Sequence, residues 1–213
     1  AGLDFRHTNG SGGPAARRYY IETMCGGVAF VDYDADGFLD VYAVNGWNLQ
    51  DPSAPRATNR LFRNRGDGSF VDVTGLTRSG DTGYGMGVTA GDYDNDGYPD
   101  LYVTNYGPNV LLRNRPAPGG GRLFEDVTVA AGVGDSLWGV GTAFLDYDND
   151  GDLDLFFTTG GVRSGELVRA DAAYDERYGA RDLLLANDGR GRFKDVSAWA
   201  GAHFRRRLIG RGS

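Results

Sequence analysis

Aspartate residues recur at a fixed spacing in three short windows of this sequence. The windows are residues 32–40 (DYDADGFLD), 92–100 (DYDNDGYPD) and 146–154 (DYDNDGDLD), and all fit the pattern D-x-D-x-D-G-x-x-D. Together they hold 13 of the 25 aspartates in the chain. Carboxylates this close together repel one another unless a cation neutralises them, so the pattern indicates three cation sites.

The spacing within each window suggests how a cation would be held. Aspartates at positions 1, 3 and 5 turn three carboxylates inward, and glycine at position 6 permits a sharp bend. The carbonyl oxygen at position 7 and the carboxylate at position 9 complete an oxygen shell, which favours Ca²⁺ over Zn²⁺ or Mg²⁺. The predicted ligands are Asp32, Asp34, Asp36, Phe38, Asp40, Asp92, Asp94, Asp96, Tyr98, Asp100, Asp146, Asp148, Asp150, Asp152 and Asp154.

The best-known calcium loop with a similar start does not fit this chain. An EF-hand carries a glutamate at position 12 of its loop and is flanked by helices. Here position 12 holds Ala43, Val103 and Phe157, all in strand-like runs. The windows are therefore predicted to be loops between β-strands.

The three windows belong to three copies of a longer repeat. In the first copy, four runs rich in β-branched and aromatic residues cover residues 27–32, 39–45, 59–64 and 70–74. Runs of this kind, bounded by Gly, Asn and Asp, are typical of short strands. Four strands in about 40 to 60 residues are typical of a β-propeller blade. We therefore predict an all-β fold of four-stranded antiparallel blades.

The repeat also predicts how the chain is divided. We expect one domain, residues 1–213, with units at about 1–74, 75–128 and 129–197, and with 198–213 beginning a fourth unit. Propellers have typically 4 to 8 blades, so we expect these three blades to be part of a larger propeller. Residues 161–181 interrupt the third unit and could form a short helix or a mobile loop.

Composition narrows the possible functions. No apolar run approaches the roughly 18 residues needed to span a bilayer, so no membrane insertion is expected. The net charge of −7 and the absence of a recognition motif disfavour nucleic-acid binding. The single cysteine, Cys25, excludes an intrachain disulfide, and His7 and His203 are the only histidines. Since the well-placed acidic clusters are assigned to Ca²⁺, we expect no catalysis by this segment.

Several residues outside the ligand set have expected structural roles. Asp72, Asp126 and Asp195 recur in the closing run of each unit, where they are expected to hold turns or neighbouring blades. Cys25 is expected to be a small packed residue rather than a reactive thiol. Asn95 stands at position 4 of its window, where its side chain is expected to face outward without binding the cation.

These motifs resemble the FG-GAP/VCBS repeat family, whose propeller repeats also occur in integrin α chains. The resemblance is to the cartilage acidic protein and ASPIC/UnbV type. It is carried by residues 5–10 (FRHTNG), the three windows, residues 59–74 (NRLFRNRGDGSFVDVT) and the closing Arg211-Gly212. It implies Ca²⁺ bound in the loops, a propeller of about seven blades, and an exported protein that serves adhesion or binding.

Two functions are consistent with this sequence. The leading expectation is a calcium-binding, non-catalytic propeller module of an exported protein, with a protein or glycan ligand, or the remaining blades of its own chain, as partner. Self-assembly through open blade ends is a further possibility. The alternative is the structural propeller portion of an exported enzyme whose catalytic residues lie elsewhere. Calcium modules with affinities of roughly 10⁻⁴ to 10⁻³ M operate outside the cytosol, which indicates an extracellular, cell-surface or periplasmic location.

Overall fold

The computed structural model describes residues 2–10, 20–49, 51, 53–160 and 180–206. Within these residues the fold consists of short strands with a few single-turn helices. The interruption at residues 161–181 lies outside the described residues except for its last two positions. Its conformation therefore stays a prediction, as does the unit expected to begin at residue 198.

The described residues form three four-stranded antiparallel sheets, which confirms the predicted all-β fold and blade architecture. Each sheet is a simple meander in which consecutive strands pair. Sheet 1 contains β1 (Val28–Val31), β2 (Asp40–Ala43), β3 (Arg60–Asn64) and β4 (Phe70–Asp72). Sheet 2 contains β5 (Gly85–Gly91), β6 (Asp100–Asn105), β7 (Gly107–Pro116) and β8 (Arg122–Asp126). Sheet 3 contains β9 (Gly139–Leu145), β10 (Asp154–Thr159), β11 (Leu183–Asn187) and β12 (Phe193–Asp195).

Each sheet ends in a tight turn held by a repeated aspartate. The carboxylates of Asp72, Asp126 and Asp195 accept the backbone N–H two residues further on, at 3.0, 3.0 and 2.9 Å. After sheets 1 and 2 the chain then forms single-turn helices, α1 (Thr74–Thr77) and α2 (Thr128–Ala131). These aspartates therefore have the turn-holding role that the repeat predicts.

Apolar side chains fill the spaces between neighbouring sheets. Between sheets 1 and 2, Tyr42 and Leu61 belong to the same buried cluster as Leu101 and Val103. Between sheets 2 and 3, the corresponding cluster is built around residues such as Tyr102, Leu111, Leu155 and Phe157. Burial of these faces provides the main driving force for stacking one blade on the next.

The first strands of neighbouring sheets approach one another closely at repeated glycines. A Cβ atom on Gly27 would lie 2.8 Å from Gly87 Cα, and one on Gly87 would lie 2.4 Å from the carbonyl oxygen of Val140. Both distances are too short for any side chain. Gly27 and Gly87, which open the first two repeats, are therefore required by packing between blades.

Cys25 lies in a third apolar cluster, around Ile21, Tyr84 and Met86. Its Sγ is 3.7 Å from the carbonyl oxygen of Glu22, and burial raises the pKa of the thiol. A raised thiol pKa disfavours the reactive thiolate, which agrees with the expected packing role.

No helix among the described residues is both long enough and apolar enough to cross a membrane.

Candidate metal centres

Each aspartate-rich window joins the first and second strands of its sheet. We call residues 32–40, 92–100 and 146–154 loops 1, 2 and 3. They follow β1, β5 and β9 and lead into β2, β6 and β10. Since each loop connects adjacent antiparallel strands, it lies at the same place in every sheet.

The aspartate at position 1 folds the loop around itself. In loop 1, Oδ1 of Asp32 accepts the N–H of Asp36 at 3.1 Å and Oδ2 accepts that of Gly37 at 3.0 Å. Asp92 and Asp146 make the same pair of bonds in loops 2 and 3, at distances of 2.8 to 3.2 Å. The position-5 aspartate then accepts the N–H of position 7, at 3.0 Å between Asp36 and Phe38. These bonds fold the loop back on its first aspartate.

Two residues in each loop have left-handed backbone conformations. The glycine at position 6 has φ of 87°, 89° and 91° in the three loops. Position 4 also has positive φ, 59° at Ala35, 56° at Asn95 and 62° at Asn149. The glycine was expected to make the bend, but the pattern did not show that position 4 shares this constraint.

Asn95 makes a contact that the sequence did not predict. Its Nδ2 donates to Oδ1 of Asp152 in loop 3 at 2.8 Å. The side chain is exposed, as expected for a residue that does not bind the cation, but it bridges two loops instead of facing free solvent. Since the partner lies 57 residues away, only the stacking of the sheets reveals this bond.

The aspartate at position 9 is buried in every loop. Asp40, Asp100 and Asp154 are 0%, 0% and 1% exposed. In loop 2, Asp100 accepts the N–H of Asn114 at 2.7 Å through Oδ1 and that of Tyr93 at 3.2 Å through Oδ2. Equivalent bonds hold Asp40 and Asp154. Position 9 thus ties the loop to the third strand of its own sheet.

Burial changes the proton affinity of these carboxyl groups. Desolvation raises the pKa of Asp40 to about 6 and that of Asp100 to about 8, although the two backbone N–H donors oppose it. The pKa of Asp154 is also raised, again because the group is buried. A nearby cation would favour the ionised form of each group.

Three aspartates converge in each loop. Their oxygens lie within 4.8 Å of one another, but the members differ between loops. Loops 1 and 2 bring together positions 1, 3 and 5, whereas loop 3 brings together positions 1, 3 and 9. The three sets are Asp32, Asp34 and Asp36; Asp92, Asp94 and Asp96; and Asp146, Asp148 and Asp154. The predicted ligands Asp40, Asp100, Asp150 and Asp152 lie outside these sets, so the complete ligand assignment stays a prediction.

The converging groups fit a hard cation. Each set consists of carboxylate oxygens, the ligands that Ca²⁺ prefers. The side chain of Asp94 is only 9% exposed, and its Oδ2 is contacted by the guanidinium of Arg113. Oδ1 of Asp34 is buried without a hydrogen-bond donor. Buried carboxylate oxygens without donors are costly unless a positive charge lies nearby.

Arginines supply positive charge to loops 1 and 2. Arg63 Nε lies 2.6 Å from Oδ2 of Asp34, and its Nη2 lies 2.8 Å from Oδ2 of Asp36. Arg113 pairs with Oδ2 of Asp94. Burial raises the pKa of Asp34 and of Asp94, and the neighbouring arginine opposes this rise in each case.

An asparagine in each third strand contributes to the site, a role that the aspartate spacing does not predict. Nδ2 of Asn114 donates to the carbonyl oxygen of Tyr33 at 2.8 Å, which links sheet 2 to loop 1. Nδ2 of Asn187 donates to the carbonyl oxygen of Tyr93 at 2.7 Å, which links sheet 3 to loop 2. The recurrence of Asn at the end of this run was the available signal, but its partner could not be identified from spacing.

Comparison with known proteins places these features in a family. The family of FG-GAP-like repeats matches residues 32–103 and 92–157. Cartilage acidic protein 1 of Homo sapiens is 34% identical over 133 residues, which cover 62% of this chain and 20% of that protein. The Xenopus tropicalis protein of the same name is 35% identical over 101 residues, covering 46% of this chain and 15% of that protein. The chain thus spans a fifth or less of the length of these relatives. The matched repeats contain all three loops and strands from all three sheets, and the chain belongs to the FG-GAP-like repeat family.

Proposed function

We propose that this segment is a calcium-stabilised, non-catalytic propeller module of an exported protein that presents its surface to a protein or glycan partner. One observation carries the calcium assignment. Three equivalent loops each bring carboxylate oxygens of three aspartates within 4.8 Å of one another. Three repetitions of this arrangement at the same place in each sheet support a shared cation-binding role.

The residues at positions 1, 3, 5, 7 and 9 would hold the ion in each loop. A bound Ca²⁺ would supply positive charge that neutralises the carboxylates. The chain itself shapes the loop: position 1 accepts two backbone N–H groups, and position 9 anchors the loop to the third strand. Because the loop joins two paired strands, a cation held there would stabilise the hairpin and hence the blade.

The proposed location follows from the proposed ion. Calcium modules with affinities of about 10⁻⁴ to 10⁻³ M require the calcium concentrations found outside the cytosol. An extracellular, cell-surface or periplasmic protein would meet that condition. The carboxylate-lined loops support this location, and membership in the FG-GAP-like repeat family is consistent with it.

The proposed assembly partner of sheet 1 is another blade of the same kind. Phe30 on β1 is 66% exposed, whereas Phe144, at the equivalent position of sheet 3, stacks on Tyr93 of sheet 2 with ring centroids 6.4 Å apart. At the opposite end, Tyr147 is 38% exposed, whereas the equivalent Tyr93 is buried. Blades of the same chain or of a second copy would complete both surfaces.

Calcium titration tests the proposed function. Protein treated with EGTA should bind Ca²⁺ in isothermal calorimetry, and its melting temperature should rise at millimolar Ca²⁺. When the free Ca²⁺ concentration is 100 times Kd, Ca²⁺ binding at each site would add about 2.7 kcal/mol to the free energy of unfolding. Absence of binding heat together with an unchanged melting temperature would refute the proposal.

A matched pair of variants tests the assignment to the loops. Asp94→Asn should remove one site, because Asp94 belongs to the carboxylate set of loop 2. Asp67→Asn removes the same charge from an exposed turn, where the side chain accepts the N–H of Ser69 at 2.9 Å. The control should therefore keep the full number of sites. Equal losses in the two variants would contradict the loop assignment.

A further inference from the structure

The three sheets differ in charge at one equivalent position of the third strand. The pairs Val41 with Phe62, Leu101 with Leu112 and Leu155 with Leu185 establish the register between second and third strands. The residue that follows each of these partners is therefore equivalent. It is Arg63 in sheet 1, Arg113 in sheet 2 and Ala186 in sheet 3.

In sheet 1 the arginine holds the oxygens that a cation would need. Oδ1 of Asp36 accepts the N–H of Phe38, and Arg63 contacts Oδ2 of the same carboxylate at 2.8 Å. Arg63 also contacts Oδ2 of Asp34 at 2.6 Å. The guanidinium therefore bridges positions 3 and 5.

In sheet 2 the arginine reaches a more deeply buried carboxylate. The side chain of Asp94 is 9% exposed, whereas that of Arg113, which pairs with it, is 36% exposed. The guanidinium thus extends from solvent into the carboxylate set. Arg122 Nη2 lies 3.9 Å from Asp96, but its Nε donates to Oδ1 of Asn114 at 2.9 Å, so we expect it to stay in place whether or not Arg113 moves.

We propose that Arg63 and Arg113 are built-in cations that compete with Ca²⁺ for the carboxylates of loops 1 and 2. This inference rests on the proposed function, since it assumes that the loops bind Ca²⁺. Each arginine offsets part of the negative charge of its loop when calcium is absent, and it must either leave the carboxylates or repel the incoming ion when calcium binds. Both routes lower the calcium affinity of the loop. At loop 3 the equivalent residue, Ala186, carries no charge, and no arginine among the described residues pairs with an aspartate of that loop.

The first test removes the arginine from loop 2. In calorimetric titration of EGTA-treated protein, Arg113→Ala should strengthen Ca²⁺ binding at one site by about tenfold, which corresponds to about 1.4 kcal/mol. Arg115→Ala is the matched control: Arg115 lies two residues further along the same strand and pairs with Glu125. The control should leave all affinities unchanged. Unchanged or weaker binding in Arg113→Ala would overturn the inference.

A second readout separates competition from a purely structural role. Without calcium, Arg113→Ala should lower the melting temperature, because the carboxylates of loop 2 lose their counterion. In saturating Ca²⁺ this loss should disappear. A lowered melting temperature of the same size under both conditions would show that Arg113 is only a structural contact, and would overturn the inference.

The reverse substitution, in which an arginine is introduced at Ala186, tests the same inference without removing an existing contact. Ala186→Arg should weaken Ca²⁺ binding at one site by about tenfold, and Asp148→Asn should remove that same site. An Ala186→Arg titration identical to that of the unaltered protein would count against the inference. If the unaltered protein binds Ca²⁺ but no arginine variant changes the affinity, only this inference fails. If it binds no Ca²⁺, the proposed function fails with it.

Discussion

At the scale of single residues, position 4 of each loop combines a backbone requirement with a choice of side chain. Ala35, Asn95 and Asn149 all have φ near 60°. Asparagine tolerates this left-handed conformation better than alanine, because its short polar side chain can hydrogen-bond locally. Loop 1 is therefore the one loop whose position 4 carries a poorly suited residue.

We predict that Ala35→Asn stabilises the protein. The free energy of unfolding should rise by about 0.5 to 1 kcal/mol, because asparagine relieves strain at a φ of 59°. Asn95 in loop 2 donates to the carboxylate at position 7 of loop 3. For loop 1 the corresponding residue is Tyr98, at position 7 of loop 2, which has no carboxylate to accept such a bond. The gain should therefore be conformational. Urea denaturation in the presence of Ca²⁺ measures it.

The opposite change in loop 3 provides the control for that prediction. Asn149→Ala should lower the free energy of unfolding by a similar amount, because alanine would then have to adopt a φ of 62°. An unchanged stability in both variants would show that position 4 carries no significant strain.

At the scale of elements, each third strand carries an asparagine that holds a loop. Asn64 and Asn187 make two bonds in common. Oδ1 accepts the N–H two residues further on, at 3.0 and 3.2 Å, and Nδ2 donates to the position-8 carbonyl oxygen, at 3.0 and 3.1 Å. Of these two asparagines, only Asn187 also donates to the preceding sheet, where the carbonyl oxygen of Tyr93 accepts the bond. The two residues therefore differ in one contact between blades.

We predict that Asn187→Ala costs more stability than Asn64→Ala. Loss of Asn187 leaves the carbonyl oxygen of Tyr93 without this buried donor, so the free energy of unfolding should fall by about 2 kcal/mol. Loss of the half-buried Asn64 breaks bonds within its own sheet and should cost about 1 kcal/mol or less. Chemical denaturation measures the free energy of unfolding of both variants. Equal losses would mean that the bond between blades contributes no measurable stability.

At the scale of the whole molecule, two phenylalanines at the same repeat position, Phe144 and Phe30, have different surroundings. Phe144 fills the space above Gly91, where a Cβ would lie 2.9 Å from its ring, and stacks on Tyr93. Phe30 stands at the same repeat position but is 66% exposed. An exposed aromatic residue at a repeated packing position indicates a surface for another blade.

We predict that alanine substitution of these two phenylalanines has unequal effects. Phe144→Ala should lower the free energy of unfolding by about 2 kcal/mol, less than a fully buried phenylalanine would cost, because Phe144 is partly buried. Phe30→Ala should change it by about 0.5 kcal/mol or less. Sedimentation of the same variants should show weaker self-association for Phe30→Ala. A large stability loss for Phe30→Ala without any change in association would contradict this assignment.

Much of the fold and the loop positions could be predicted because the signals are local. The nine residues of each loop carry their own aspartates and bend-forming glycine, so the spacing alone identifies where carboxylates converge. The β-prone runs at 39–45 and 59–64 similarly predict β2 and β3, with bounds within about two residues. These features depend on neighbours in sequence, and that is the information a repeat pattern contains.

The tertiary structure decided which groups these aspartates meet. Asp40 and Asp100 share a pattern with the other predicted ligands, yet each is buried and bound by two backbone N–H groups. Arg63 reaches loop 1 from 27 residues beyond Asp36, and Asn187 reaches loop 2 across 94 residues. Contacts over such separations depend on strand register and on the stacking of whole sheets, so no local spacing rule could predict them.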